Sequence, residues 1–67
     1  MQILLNNIRE TIDYESITIS ELLKVKNFTF RMLVIKVNGK LLKKDEYPTT
    51  TVKDGDEVVV LHLISGG

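Results

Sequence analysis

The group best suited to covalent chemistry in this sequence lies at its end, where Gly66-Gly67 closes the chain. At ordinary glycine usage of about 7%, a terminal pair arises by chance in roughly one chain in two hundred, so it has to be weighed against a frayed end. The context argues against fraying, because Val58-Val59-Val60-Leu61-His62-Leu63-Ile64 reads as a buried-type strand running almost to the terminus. The glycines therefore project from something rigid. They carry an α-carboxylate on a backbone free of side chains, which can take φ/ψ values closed to other residues and thread a narrow channel. Ser65, Gly66 and Gly67 span roughly 10 Å when extended, so residues 65–67 are expected to form a flexible functional tail.

No other group competes well. His62 is the only histidine, and a lone histidine on a strand reads as surface or structural. Asp54-Gly55-Asp56 reads as turn chemistry, since a calcium site needs six or more oxygen ligands and this segment supplies few. Lys43-Lys44 beside Asp45-Glu46 reads as a solvated surface. Tyr47, Phe28 and Phe30 have no basic surround and are expected to pack under loops rather than stack on bases. Thr49-Thr50-Thr51 offers hydroxyls with no general base nearby in sequence. With no Ser/His/Asp set, phosphate loop, metal-ligand cluster or carboxylate pair, a stand-alone enzyme is rejected and no metal is expected.

Composition narrows the remaining classes. A chain of 67 residues makes one domain, 1–67, and at this size only about 60% of the unfolded surface is buried, which argues against a large internal cavity. Nine Lys and Arg balance nine Asp and Glu, so there is no net positive field for nucleic acid or an anionic membrane. The absence of cysteine excludes disulfides, thiolate metal sites and a cysteine nucleophile, and agrees with a reducing compartment. No leader or spanning apolar run is apparent, so the expectation is a soluble cytoplasmic protein.

The elements that must position the tail can be read in order. Met1 to Asn6 and Ile8 to Ile12 form a hairpin about Asn6-Asn7. Thr18-Ile19-Ser20-Glu21 fits a capping box, opening a helix of roughly two to three turns whose apolar stripe is Ile19, Leu22 and Leu23 with the Lys26 stem. Asn27 to Arg31 reads as a loop and Met32 to Val37 as a strand. Asn38-Gly39 is a tight turn into a short return strand, Lys40-Leu41-Leu42. Pro48 should block continued helix at Tyr47, leaving at most one helical turn in residues 43–48. Asp54-Gly55-Asp56 then turns the chain into the last strand. One helix on one face of a mixed sheet is an α+β arrangement.

These residues resemble a known family. Ile35-Lys36-Val37-Asn38-Gly39-Lys40, Val52-Lys53-Asp54-Gly55-Asp56-Glu57-Val58 and the closing Ile64-Ser65-Gly66-Gly67 look like the β-grasp sulfur carriers, and nearest to the ThiS type of thiamine (thiazole) biosynthesis. The resemblance covers the whole chain and includes its Met1-Gln2-Ile3 opening and the helix start at Thr18. Ubiquitin is similar in fold and tail but ends its strand in a basic stretch, where this chain has uncharged Leu63-Ile64-Ser65. The molybdopterin carriers are similar but longer, with prolines in the last strand that are missing here.

The resemblance implies a β-grasp fold: a mixed five-stranded sheet with one main helix. It also implies a carrier rather than an enzyme, with the Gly67 carboxylate adenylated and converted to a thiocarboxylate, and Gly66 and Ser65 guiding it. ATP would be used by a ThiF-like adenylating partner, and none is expected to bind this chain. A cysteine-desulfurase-derived persulfide would supply the sulfur, and a ThiG-like thiazole synthase would receive it. An α-carboxyl is ionised and nucleophilic at neutral pH without a local base, and without cysteine no side chain can carry transferable sulfur. By similarity to ubiquitin-like folds, Val58 and Val60 should face inward and Val59, Leu61 and Leu63 outward. The outward set, joined by Leu4 and Val34, would form an apolar patch for partner docking, with Ile64 adjoining it at the root of the tail. A carrier for another pathway, a ubiquitin-like modifier of target lysines and an interaction module with an incidental Gly-Gly are the alternatives.

Overall fold

The computed structural model describes residues 1–28 and 33–62. The chain opens with strands β1 (Gln2–Leu5) and β2 (Ile8–Thr11), paired antiparallel. Their connection is the two-residue turn Asn6-Asn7, both with left-handed φ, 53° and 64°. Tight hairpins favour such a turn because its twist matches that of the strands, and asparagine tolerates the conformation. Asn38 and Gly39, with φ of 50° and 82°, make the same kind of turn between β4 (Leu33–Val37) and β5 (Lys40–Leu41).

Between the hairpins lies helix α1 (Ile19–Val25), seven residues long. Its N-terminus is the expected capping box: the Thr18 hydroxyl accepts from the Glu21 N–H at 3.1 Å, and the Glu21 carboxylate accepts from the Thr18 N–H at 3.0 Å. It ends after two turns because Asn27 takes a left-handed φ of 58°. The Phe28 N–H then donates to the Leu23 carbonyl and the Asn27 N–H to the Lys24 carbonyl, the paired bonds of a helix-terminating Schellman motif.

Strand β7 (Glu57–His62) lies in the middle of a five-stranded sheet of order β2-β1-β7-β4-β5. It runs parallel to β1 and antiparallel to β4. One face of this sheet carries the core: Ile3 and Leu5, Val58 and Val60, and Ile35 are buried with Ile19 and Leu22 of the helix. Phe28 and Tyr47 pack against the edge of that core, as expected, whereas Phe30 lies outside the described residues. Lys26, at the helix end, is tied to Glu10 of β2 by an ion pair of 2.7 Å.

One feature differs from the sequence reading. Ser16–Thr18 (β3) and Thr51–Lys53 (β6) pair antiparallel as a second, two-stranded sheet that buries Ile17 and Val52 and ties the helix start to the segment before β7. Tyr47, next to Pro48, has φ −59° and ψ −42° and so keeps a helical conformation. It caps a 3-10 turn, Lys44–Glu46, through its N–H to the Lys44 carbonyl, and the helix does not continue past it, as the following proline requires. The single helical turn expected in this connection is present.

The capping box makes stability depend on acid in a defined direction. Hydrogen bonds from the Thr18 backbone and then its hydroxyl, with Lys24 nearby, hold the Glu21 carboxyl below its usual 4.5. A lowered folded-state pKa adds stability above the unfolded value, and that stability is lost as pH falls through the folded value. Wild type is expected to lose its urea-midpoint advantage over Glu21→Gln as the pH drops below 4.5. An equal gap at pH 7 and pH 3 would contradict this.

Candidate functional site

Because β7 feeds the C-terminal residues, the site is built from whatever fixes that strand. Its entry is the turn at Asp54-Gly55-Asp56, laced to two other elements. Asp54 Oδ1 accepts from the Gln2 N–H at 2.7 Å, and the Gly55 N–H donates to the Gln2 carbonyl. Asp56, the one buried charged residue among those described, spends both carboxylate oxygens internally. Oδ1 accepts from the Asn38 side-chain amide at 3.2 Å and Oδ2 from the Lys53 N–H at 3.0 Å. Asn38 in turn accepts from the Glu57 N–H at 2.9 Å through its side-chain oxygen, and its own N–H donates to the Glu57 carbonyl.

These carboxylates are therefore engaged in holding backbone, which is the turn role expected of Asp54 and Asp56. Among the described residues no group of three or more His, Asp or Glu is placed to hold a metal. Nor is any helix long and apolar enough to cross a membrane. An open groove of about 610 Å³ is lined by Met1, Asp13, Tyr14, Glu15 and Asp54, none of them from β7.

Alternation along β7 separates two side-chain sets. Val58 and Val60 enter the core, while Val59 is half-buried and Leu61 is 51% exposed on the other face. Cross-strand partners share a face, so the register adds Val34, opposite Leu61, and Lys36, opposite Val59. The open face thus presents Leu4, Val34, Val59 and Leu61, with Leu4 39% exposed. Arg9, opposite Leu4, and Lys36 bring positive charge to the same face, and Glu57, also opposite Leu4, brings a negative one. Leu41, 60% exposed, also belongs to it, because it pairs with Lys36 across the hairpin.

Leu41 was readable from the sequence, since a two-residue Asn38-Gly39 turn sets that register, but a strand of two residues carries too little alternation to draw notice. Asn6, Asn38 and Asp56 were visible only as turn formers. His62 is exposed at the end of β7, opposite Leu33. Leu63, Ile64, Ser65, Gly66 and Gly67 lie outside the described residues.

Three comparisons can be set beside this geometry. The model of the ThiS family matches residues 3–67 of the chain. The crystal structure of the thiamine biosynthesis protein ThiS from Geobacter metallireducens superposes with a TM-score of 0.89 at 33% sequence identity, covering 100% of both chains. A solution NMR structure of a thiamine biosynthesis protein from the same organism superposes with a TM-score of 0.82 at 33% identity, over 100% of this chain and 88% of that one. The mixed five-stranded sheet with helix α1 on one face is therefore a β-grasp fold.

The exposed half of β7 contributes little to folding, and this can be measured. Leu61→Ser should change unfolding free energy by no more than about 0.5 kcal/mol, as exposed positions do. Ile35→Ala, at a fully buried position of the neighbouring strand, should cost about 2–5 kcal/mol. Urea unfolding checks both, and a large loss at Leu61 would assign that residue to the core.

Proposed function

This chain belongs to the ThiS family, the small sulfur carriers of thiamine biosynthesis, and we propose that it carries sulfur as a thiocarboxylate on Gly67. The observation that carries the reading is the match along the whole sequence: residues 3–67 fit the family, and the 33% identity to a ThiS protein extends over the full length of both chains. Family members work with an adenylating enzyme and a thiazole synthase.

The chemistry starts from the Gly67 carboxylate, whose oxygen attacks the α-phosphate of ATP in the adenylating partner and displaces pyrophosphate. The terminal sulfur of a persulfide then attacks the carbonyl carbon of the acyl-adenylate and expels AMP. Cleavage of the remaining sulfur–sulfur bond by a thiol leaves the thiocarboxylate, which the thiazole synthase consumes. ATP binds the partner, so this chain needs no nucleotide site. Gly66 and Ser65 pass through the partner's channel, where the lack of bulky side chains keeps the path narrow. The cycle runs in the cytoplasm, where ATP is available.

Docking is assigned to the open sheet face, through Val59 and Leu61, together with Leu63 and Ile64, which precede the tail in sequence. Support comes from Leu61 standing half exposed at the strand end that leads to the tail, since exposed apolar surface on a small domain marks interaction sites. Arg9, Lys36 and Glu57 on the same face would orient the encounter more than strengthen it.

Two experiments test these assignments separately. Deleting Gly67, or adding one residue after it, should abolish ATP–pyrophosphate exchange with the adenylating enzyme while the circular dichroism spectrum stays unchanged. Retained exchange would remove Gly67 from the reaction. Leu61→Glu should weaken binding to that enzyme by at least about tenfold, the loss expected when a charge is buried unpaired in an apolar contact, and unchanged affinity would move the docking surface elsewhere.

A further inference from the structure

Strand β7 is held on its β1 side by an interaction that strand pairing does not supply. The β1–β7 register covers Leu4 opposite Glu57 and Leu5 opposite Val58, and the Asn6 N–H extends it by one bond, to the Val58 carbonyl at 2.9 Å. There β1 ends, because Asn6 and Asn7 reverse the chain. The next β7 donor on that side is the Val60 N–H, by the alternation of backbone groups along a strand. The Asn6 side-chain oxygen accepts from it at 2.7 Å in a part-buried position. One residue thus turns the backbone away from β7 and sends its side chain back in place of the carbonyl that a longer β1 would have offered.

Few residue types can do both. The φ of 53° suits glycine, asparagine or aspartate, and of these glycine has no acceptor. Val60 precedes Gly67 by seven residues, a reach of at most about 25 Å. A tilt of about 10° at Val60 would displace a fully extended end by about 4 Å, and a misplacement of about 1 Å at a reacting group can cost up to about a hundredfold in rate.

We propose that Asn6 is a positioning residue for the C-terminal tail, its side chain setting through Val60 the direction in which the last strand delivers Gly67 to the adenylating partner. This rests on the reading that Gly67 is adenylated.

The test compares wild type, Asn6→Gly, Asn6→Asp and Glu10→Ala as full chains in ATP–pyrophosphate exchange with the adenylating enzyme. It is run at a temperature where circular dichroism shows every variant folded, with Val60 amide exchange followed by NMR. Asn6→Gly keeps the left-handed turn and loses the acceptor, so it should lose about five- to tenfold in kcat/KM, the worth of one hydrogen bond, and exchange faster at Val60. Asn6→Asp keeps both properties and should stay within about twofold of wild type. Glu10→Ala removes the ion pair to Lys26 without touching β7, and should leave kcat/KM unchanged.

Equal kcat/KM for Asn6→Gly and wild type, an equal loss in Asn6→Asp, or an equal loss in Glu10→Ala overturns the proposal. If the glycine chain does not fold, the wild-type Val60 amide decides: exchange as fast as in an unstructured peptide would show that the Asn6 oxygen does not hold it, and overturns the proposal. A wild-type chain that supports no exchange overturns adenylation at Gly67 itself, a failure visible before any variant is compared.

Discussion

The structure depends on satisfying the backbone of β7 along both of its edges while one of its faces stays open. A central strand needs partners for every N–H and C=O it buries. β4 supplies them on one side over five residues, Leu33 to Val37 opposite His62 to Val58. On the other side β1 reaches only two positions, Leu4 and Leu5. Beyond them the Asn6 N–H reaches the Val58 carbonyl and the Asn6 side chain takes the Val60 N–H, from a turn placed by the first hairpin. The helix then needs to cover only one face, and seven residues suffice for that.

This arrangement explains why so small a core uses so many short polar residues. At 67 residues there is little apolar surface to spare, and the domain locks its geometry with local amide and carboxylate contacts. Asp54, Asp56 and Asn38 hold the entry of β7, and Asn6 holds its middle. Each sits in a turn, where it also provides or borders a left-handed backbone conformation. The apolar residues on the other side of the strand, Leu61 foremost, are left unburied within the monomer and so remain available to a partner.

Much of this was legible in the residues themselves, for local reasons. Asn6-Asn7 and Asn38-Gly39 announced hairpins because few residue pairs accept two successive positive φ values, and Thr18 with Glu21 announced a helix start because both halves of the cap lie within four residues. Strict alternation separated the two side-chain sets of β7, and the resemblance to ubiquitin-like folds assigned which set faces inward. What escaped notice was long-range or too short to carry a pattern. Strands β3 and β6 have three residues each and pair across more than thirty intervening residues. The Asn6 to Val60 bond joins positions 54 apart, and nothing in the sequence near either one points to the other. Asp56 looked like any turn acid until its burial between Asn38 and Lys53 was seen.

The outer strand β2 carries one further consequence. Its free edge would invite a second copy to continue the sheet. Pairing about a two-fold axis normal to the sheet can oppose only residues of like facing, and the two registers with the greatest overlap place Arg9 against Arg9 or Glu10 against Glu10. Either way a like-charge pair sits on the axis, at the centre of the contact, where it disfavours the pairing. At the opposite margin β5 has only two residues to offer. The sheet thus discourages lateral growth at both ends, where a second copy would otherwise extend it as a ribbon.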